Sequence, residues 1–141
     1  MKLKIPKVNW ERCIHMRDVT LKRGVKELEE CIFDMSDWYS ETHRCGTAAC
    51  AGGFAALDPG LHGLYLSSGT IMYEESMSYY ALNLYFFGDS HMYDRDTYFC
   101  ENQYGGRCEF WDSTAKHQTL EEAHAEWTRI MNEEIECMEG V

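Results

Sequence analysis

The residues best suited to chemistry lie in the stretch HRCGTAACAGGFAA, residues 43–56. Cys45 and Cys50 have four residues between them, and a histidine precedes them. Thiolates and imidazoles are the ligands of structural zinc, and paired cysteines in such sites are usually separated by two to four residues. Two later cysteines, with seven residues between them, could complete a tetrahedral site across a turn. The zinc hypothesis takes its ligands from His43, Cys45, Cys50, Cys100 and Cys108.

The same stretch supports a second hypothesis, a cysteine-dependent, hydrolase-like enzyme. Gly46 and Thr47 predict a helix that begins just after Cys45, and the positive end of a helix favours a thiolate over a thiol. His43 is the nearest candidate base, but a nucleophile–base pair also needs a group that orients the imidazole. The sequence does not place such a group, so a non-enzymatic role is favoured.

The cysteine count indicates the compartment. The chain has seven cysteines, an odd number, and its N-terminus carries no recognisable export signal. This pattern favours reduced thiols in a cytoplasm over a disulfide scaffold. The longest apolar run, YYALNLYFF, is too short to span a membrane and is interrupted by Asn83. We therefore expect a cytoplasmic protein without a membrane segment.

Charge is distributed unevenly along the 141 residues. The net charge is −11; residues 1–26 hold eight Lys/Arg and two acids (+6), and residues 27–141 hold five Lys/Arg and twenty-two acids (−17). Nucleic-acid binding needs basic groups that displace counterions from phosphates. We therefore expect no direct nucleic-acid binding, except through the basic N-terminal segment. The acidic body indicates a protein partner with a basic pocket.

The most hydrophilic part of the chain, residues 89–118, mixes aromatic and acidic side chains. Tyrosine and tryptophan supply large contact areas at interfaces, and loops have fewer core obligations than helices. This region is the predicted contact surface. Its candidate partner-binding residues are Asp94, Asp96, Tyr98, Tyr104, Glu109 and Trp111.

Hydrophobic periodicity predicts a helix at each end of the chain. Apolar residues spaced three and four apart predict a helix over 19–35. Thr119 and Glu122 form the capping-box pattern of a C-terminal helix, whose apolar stripe extends to Met138. These helices would supply much of the core.

The middle of the chain predicts shorter elements. A helix is expected to start at Thr47 and to end at the DPG turn, residues 58–60. Residues 64–73 predict a hairpin around Gly69, and the following segment predicts a helix that stops at Gly88. Residues 98–111 predict a second hairpin or a structured loop. The expected fold is a compact, mainly α-helical single domain, residues 1–141, with one or two small β-hairpins.

Four motifs in order resemble a family of small uncharacterised bacterial and phage proteins. They are FDMSDW (33–38), CGTAACAGGFA (45–55), YFFG (85–88) and TLEEAHAEW (119–127). The family carries a CGTxxCxxG segment, then an FFG segment, then a helix that opens TxEE. The resemblance implies a bacterial or phage origin and a shared architecture, and it implies no reaction.

The sequence thus favours a small acidic accessory protein, encoded by a phage, that binds and modulates a host or phage macromolecule. Inhibition of a host process is the expected mode of action, and the site of action would be the host cytoplasm. The zinc-binding module and the cysteine-dependent enzyme remain the alternatives.

Overall fold

The computed structural model describes residues 2–35, 40–43, 46–88, 109–111 and 117–138. Within these ranges the chain forms four helices and eight short strands. The helices are α1 (Lys7–Asp18), α2 (Ala51–Leu57), α3 (Ser78–Phe87) and α4 (Leu120–Glu133). The strands are β1 (Leu3–Ile5), β2 (Ile32–Phe33), β3 (Ser40–His43), β4 (Gly46–Ala49), β5 (Tyr65–Ser67), β6 (Thr70–Tyr73), β7 (Ser76–Met77) and β8 (Ile135–Cys137). Single 3₁₀ turns cover Thr20–Lys22, Lys26–Leu28 and Glu109–Trp111.

The strands form three small sheets in the described part of the chain. β1 pairs with β8 in parallel, β4 lies between parallel β2 and antiparallel β3, and β5, β6 and β7 form an antiparallel meander. The expectation of a mainly α-helical fold is therefore wrong, because the architecture is α+β. The strands outside the β5–β6 hairpin were not predicted, because each has only two to four residues, too few to show a period of two.

The β1–β8 ribbon joins the two ends of the described chain. Leu3 lies opposite Ile135, and Ile5 lies opposite Cys137. Ile5 and Ile135 are buried in the main core. Because both partners are three-residue strands at opposite ends of the sequence, only tertiary packing brings them into register.

The helix expected over residues 19–35 does not form. The chain instead makes two 3₁₀ turns and then enters β2. Arg23 adopts a left-handed φ of 54°, and the Gly24 N–H donates to the Val19 carbonyl, which ends the first turn. Leu21 and Leu28 are nevertheless buried. The apolar spacing thus identified core residues correctly but assigned them the wrong local geometry.

The helix expected from Thr47 begins later. Residues 46–49 form β4, Cys50 is the extended N-cap, and α2 starts at Ala51. The predicted end at the DPG turn is close to the observed end at Leu57. Propensity alone did not show that Gly46, Ala48 and Ala49 pair with the neighbouring strands β2 and β3.

Three predicted features of the second half are confirmed. Residues 65–73 form the β5–β6 hairpin, with Ser68 and Gly69 at positive φ in the turn. α3 ends at Gly88, whose φ of 74° is the left-handed conformation typical of a helix C-terminus. α4 begins at Thr119 with a complete capping box: the Glu122 N–H donates to Thr119 Oγ1, and the Thr119 N–H donates to Glu122 Oε1.

The C-terminal helix is shorter than its apolar stripe predicted. α4 ends at Glu133, and Ile135 is buried from β8 rather than from the helix. Met138, assigned to the buried stripe, is 46% exposed. The acidic end of the helix is partly neutralised because Arg129 contacts both Glu126 and Glu134.

An aromatic cluster forms the centre of the main core. Trp127 of α4 contacts the rings of Phe86, Phe87, Phe110 and Trp111 at centroid distances of 4.9–5.7 Å. The Trp127 indole N–H also donates to a backbone carbonyl of α1, so this buried ring is both packed and hydrogen-bonded.

Candidate functional site

Most of the residues predicted to bind zinc, to catalyse a reaction or to contact a partner lie outside the described residues. The structure places the backbone of His43 at the end of β3 and that of Glu109 in a 3₁₀ turn. It describes Cys50 and Trp111 as buried side chains. The candidates outside the described ranges are Cys45, Asp94, Asp96, Tyr98, Cys100, Tyr104 and Cys108.

Trp111 lies in the core. Its side chain is 1% exposed, stacks on Phe86 at 5.5 Å, and donates from Nε1 to Asn83 Oδ1 at 3.1 Å. Its contacts are those of a structural residue. The other proposed partner-binding positions remain predictions.

The helix-start argument for an activated Cys45 is wrong. It required a helix that begins at Gly46 and Thr47, but residues 46–49 form the strand β4. The next helix in the described part of the chain, α2, begins only at Ala51. The assignment of Cys45 and His43 to a reactive or metal site remains a prediction without that support.

The buried thiols behave as core residues. Cys13 is fully buried and its Sγ lies 3.3 Å from the Phe86 carbonyl, and burial raises the pKa of the Cys13 thiol far above its ordinary value. Burial likewise raises the pKa of Cys31. Because the thiolate is the nucleophile and the metal ligand, these two thiols are poor candidates for either role.

The described residues contain neither a metal-binding cluster nor a membrane-spanning helix. No group of three or more His, Cys, Asp or Glu side chains there is arranged to hold a metal ion. Among the same residues, no helix has the length and apolar character needed to cross a bilayer. Four of the five proposed zinc ligands, His43, Cys45, Cys100 and Cys108, have no described side chain, so the zinc hypothesis remains a prediction.

A buried carboxylate joins three parts of the chain. Asp58, with a fully buried side chain, accepts hydrogen bonds from Thr20 Oγ1 at 2.7 Å and from the Gly60 N–H at 2.8 Å. Its Oδ2 also lies 3.0 Å from Nε2 of His15, whose side chain is 28% exposed. These contacts compensate the cost of removing the carboxylate from water. They tie α1 to the turn that follows α2.

The His15–Asp58 pair has the geometry of an oriented imidazole. A buried carboxylate on one ring nitrogen fixes the ring and its tautomer, which leaves the other nitrogen able to accept a proton or a metal. The ring packs so closely on Gly60 that an added Cβ would lie 2.5 Å from its Cε1. Sequence reasoning missed the pair because 43 positions separate its members. The available signal was the DPG turn, in which a buried aspartate can accept the N–H two residues on.

A second polar cluster lies where α1 meets the end of α3. Asn9 Nδ2 donates to the Leu84 and Tyr85 carbonyls at 3.3 and 2.7 Å, and Arg12 Nη1 donates to the Tyr85 carbonyl at 3.0 Å. The Tyr85 carbonyl lies in the last turn of α3, where carbonyls lack an intrahelical donor, whereas the Leu84 carbonyl also accepts the Gly88 N–H. Arg12 also lies 4.0 Å from the centre of the Tyr85 ring.

Tyr85 is held by both of its ends. Its hydroxyl donates to the His62 carbonyl at 2.7 Å, and its ring meets Tyr73 edge-on at 4.9 Å. Burial raises the pKa of Tyr85 to about 12, and the nearby Arg12 charge opposes part of that rise. A neutral, hydrogen-bonded phenol of this kind is a structural group.

One exposed surface lies on the β5–β6–β7 sheet. Ile71 is buried and Tyr73 packs on α3, so the intervening Met72 points to the opposite face. Tyr65 and Met77 lie directly opposite Met72 in the two neighbouring strands and share that face. We call this surface the outer sheet face: the row Tyr65, Met72 and Met77, together with Glu74 and Glu75 at the β6–β7 turn.

The outer sheet face exposes large apolar side chains. Tyr65 is 48% exposed and Met77 is 53% exposed, and Met72 between them is half-buried. Tyrosine and methionine are enriched in protein interfaces, and the flexible methionine side chain adapts to differently shaped partners. The sequence pattern predicts a hairpin here but not the row, because strand register decides which side chains align.

Comparison of the chain with protein-family models, with curated proteins and with solved structures found no match.

Proposed function

We propose that this protein is a non-enzymatic binding protein that modulates a protein partner through the outer sheet face. The observation that carries this proposal is the exposed row of Tyr65, Met72 and Met77, aligned across three strands. Contiguous apolar side chains at a surface are typical of protein–protein interaction sites. The tyrosine and the methionines provide contact area, and the adjacent acids provide orientation.

The proposed cellular role follows the sequence motifs. A small acidic accessory protein of phage origin would act in the host cytoplasm by occupying a surface of a host or phage macromolecule. Inhibition is the expected result, because a bound partner surface is no longer available to its normal ligand.

Paired lysine substitutions on two exposed methionines test the proposal. Met77→Lys places a charge in the apolar row, whereas Met138→Lys places the same charge at an exposed methionine outside it. Affinity capture from the native host lysate should recover a partner with the wild type and with Met138→Lys, and lose it with Met77→Lys. Equal recovery with both variants would refute the assignment of this surface.

The cysteine-dependent enzyme keeps one supporting observation. A catalytic histidine needs an orienting group, and His15 has one in the buried carboxylate of Asp58. If His15 activates Cys45, His15→Gln should slow the alkylation of Cys45 by iodoacetamide at neutral pH at least tenfold. The exposed His62 provides the control variant His62→Gln. An unchanged rate in His15→Gln would exclude His15 as the base for Cys45.

A further inference from the structure

We infer that the occupant of the outer sheet face is a basic protein segment, one that carries lysine or arginine beside apolar side chains. This inference rests on the proposed function and specifies the chemistry of its partner. It combines the apolar row with the charge placed next to it.

The apolar row can receive several side chains of a partner. Adjacent strands lie about 4.8 Å apart, so the row from Tyr65 across Met72 to Met77 spans roughly 10 Å. The other cross-strand pair on the same face, Ser67 and Thr70, is polar. The face thus has an apolar side and a polar side, which suits an amphipathic segment.

The acids at the rim of the row favour a cation. Glu74 and Glu75 form the two-residue connection between β6 and β7, one cross-strand pair beyond the row. Both side chains are exposed, and neither forms an ion pair with any residue in the described ranges. Residues 27–141, which contain them, carry a net charge of −17. A lysine or arginine beside the apolar anchors of a partner would meet these carboxylates.

The same charge disfavours two other occupants. A second copy of this chain would bring its own Glu74 and Glu75 to a self-complementary contact, since a two-fold interface uses the same patch twice. A nucleic acid would bring phosphates to acids. Both contacts place like charges together, which opposes association.

A synthetic peptide tests the inference directly. The probe is a short labelled peptide rich in lysine and leucine, and its control replaces each lysine with glutamate. We expect the wild type to bind the basic peptide in fluorescence anisotropy, with an affinity that falls as salt is raised. It should not bind the acidic peptide. Equal binding of both peptides, or of neither, would overturn the inference.

A matched pair of charge-removing variants distinguishes this surface from general acidity. Glu74→Gln/Glu75→Gln removes the two rim acids, and Glu29→Gln/Glu30→Gln removes two other consecutive exposed acids. We expect the rim variant to bind the basic peptide about five- to tenfold more weakly, and the control to change binding less than twofold. Equal losses would show that the peptide responds only to net charge and would overturn the inference.

The substitution Glu74→Gly separates the effect on thermal stability from the effect on peptide binding. Its φ of 54° is left-handed, a conformation that costs a non-glycine residue roughly 1 kcal/mol. Glu74→Gly should therefore raise the melting temperature or leave it unchanged, while it weakens peptide binding. A variant that binds the peptide as well as the wild type would contradict a role for the Glu74 carboxylate.

Negative results in the peptide experiment and in the lysate experiment have different consequences. Loss of lysate capture in Met77→Lys, with peptide binding unaffected in the Glu74/Glu75 variant, would retain the surface and overturn the basic partner. Sedimentation of the purified protein would then show whether a second copy occupies the face. Capture that survives Met77→Lys would instead overturn the proposed function itself.

Discussion

α1 and α4 are both long helices of the described chain, but they are stabilised differently. α4 buries an apolar stripe of Ala123, Trp127, Ile130 and Met131 and begins with its own capping box. α1 has no side-chain cap and buries Asn9 beside Cys13 and Met16. The residues within α4 therefore specify that helix, whereas α1 is held in place by polar contacts to distant elements.

The largest expected effect tests the apolar packing of α4. Trp127→Ala removes a fully buried ring from the aromatic cluster and leaves the Cys13 carbonyl without its indole donor. We expect the free energy of unfolding to fall by about 3–5 kcal/mol in urea titrations. The control Glu121→Ala, on the exposed side of α4, should change it by less than about 0.5 kcal/mol. An equally small change in Trp127→Ala would contradict the view that apolar packing stabilises α4.

The second-largest expected effect concerns the Asp58 carboxylate, which links α1 to the turn after α2. Asp58→Ala leaves the Thr20 hydroxyl and the Gly60 N–H without their acceptor and removes the partner of His15. We expect a loss of about 2–4 kcal/mol by the same measurement. Asp18→Ala, which removes a half-exposed carboxylate paired with Arg17, should cost less than about 1 kcal/mol. Comparable losses would mean that burial of Asp58 is not what makes it important.

A smaller effect tests how α1 caps α3. Asn9→Ala removes one donor to each of the Leu84 and Tyr85 carbonyls at the end of α3. We expect a loss of about 1 kcal/mol, because the buried bond to Tyr85 is lost while Gly88 still donates to the Leu84 carbonyl and Arg12 to the Tyr85 carbonyl. The matched control is Asn132→Ala on the exposed surface of α4, which should be neutral or slightly stabilising. An equally neutral Asn9→Ala would show that α1 does not depend on this contact.

The smallest effect tests the capping box of α4 through pH. Backbone hydrogen bonds from Gln118 and Thr119 lower the pKa of Glu122 below its ordinary value of 4.5. The ionised Glu122 carboxylate therefore contributes its full stabilisation of the folded protein above pH 4.5. This contribution is lost as the pH falls through the lowered pKa that Glu122 has in the folded state. Thermal melts should show a shallower loss of stability in this range for Glu122→Gln than for the wild type. Parallel profiles would contradict a contribution from the ionised cap.

The same contrast explains what could be predicted from the sequence. The cap of α4, the Gly88 stop of α3 and the β5–β6 hairpin depend on residues close together in the chain. Each was therefore predicted correctly. The helix over 19–35 failed because apolar spacing identifies buried residues but does not show that the chain reverses at Arg23 and Gly24.

The candidate sites could be predicted from the sequence even less than the fold, because they depend on residues far apart in the chain. The DPG turn was recognised, but the role of Asp58 as an acceptor for His15 and Thr20 depends on contacts 43 and 38 positions apart. The outer sheet face was not predicted either. Its row exists only because Met72 pairs with residues on both neighbouring strands.

The sequence by itself determined the charge asymmetry, the capping box of α4, the Gly88 stop of α3 and the buried stripe of α4, because these follow from composition and short-range spacing. Only the tertiary structure decided the α+β architecture, the β1–β8 pairing and which side chains align on an exposed face. The physical reason is that strand register and long-range hydrogen bonds are selected by packing of the whole chain, and short segments carry little information about either.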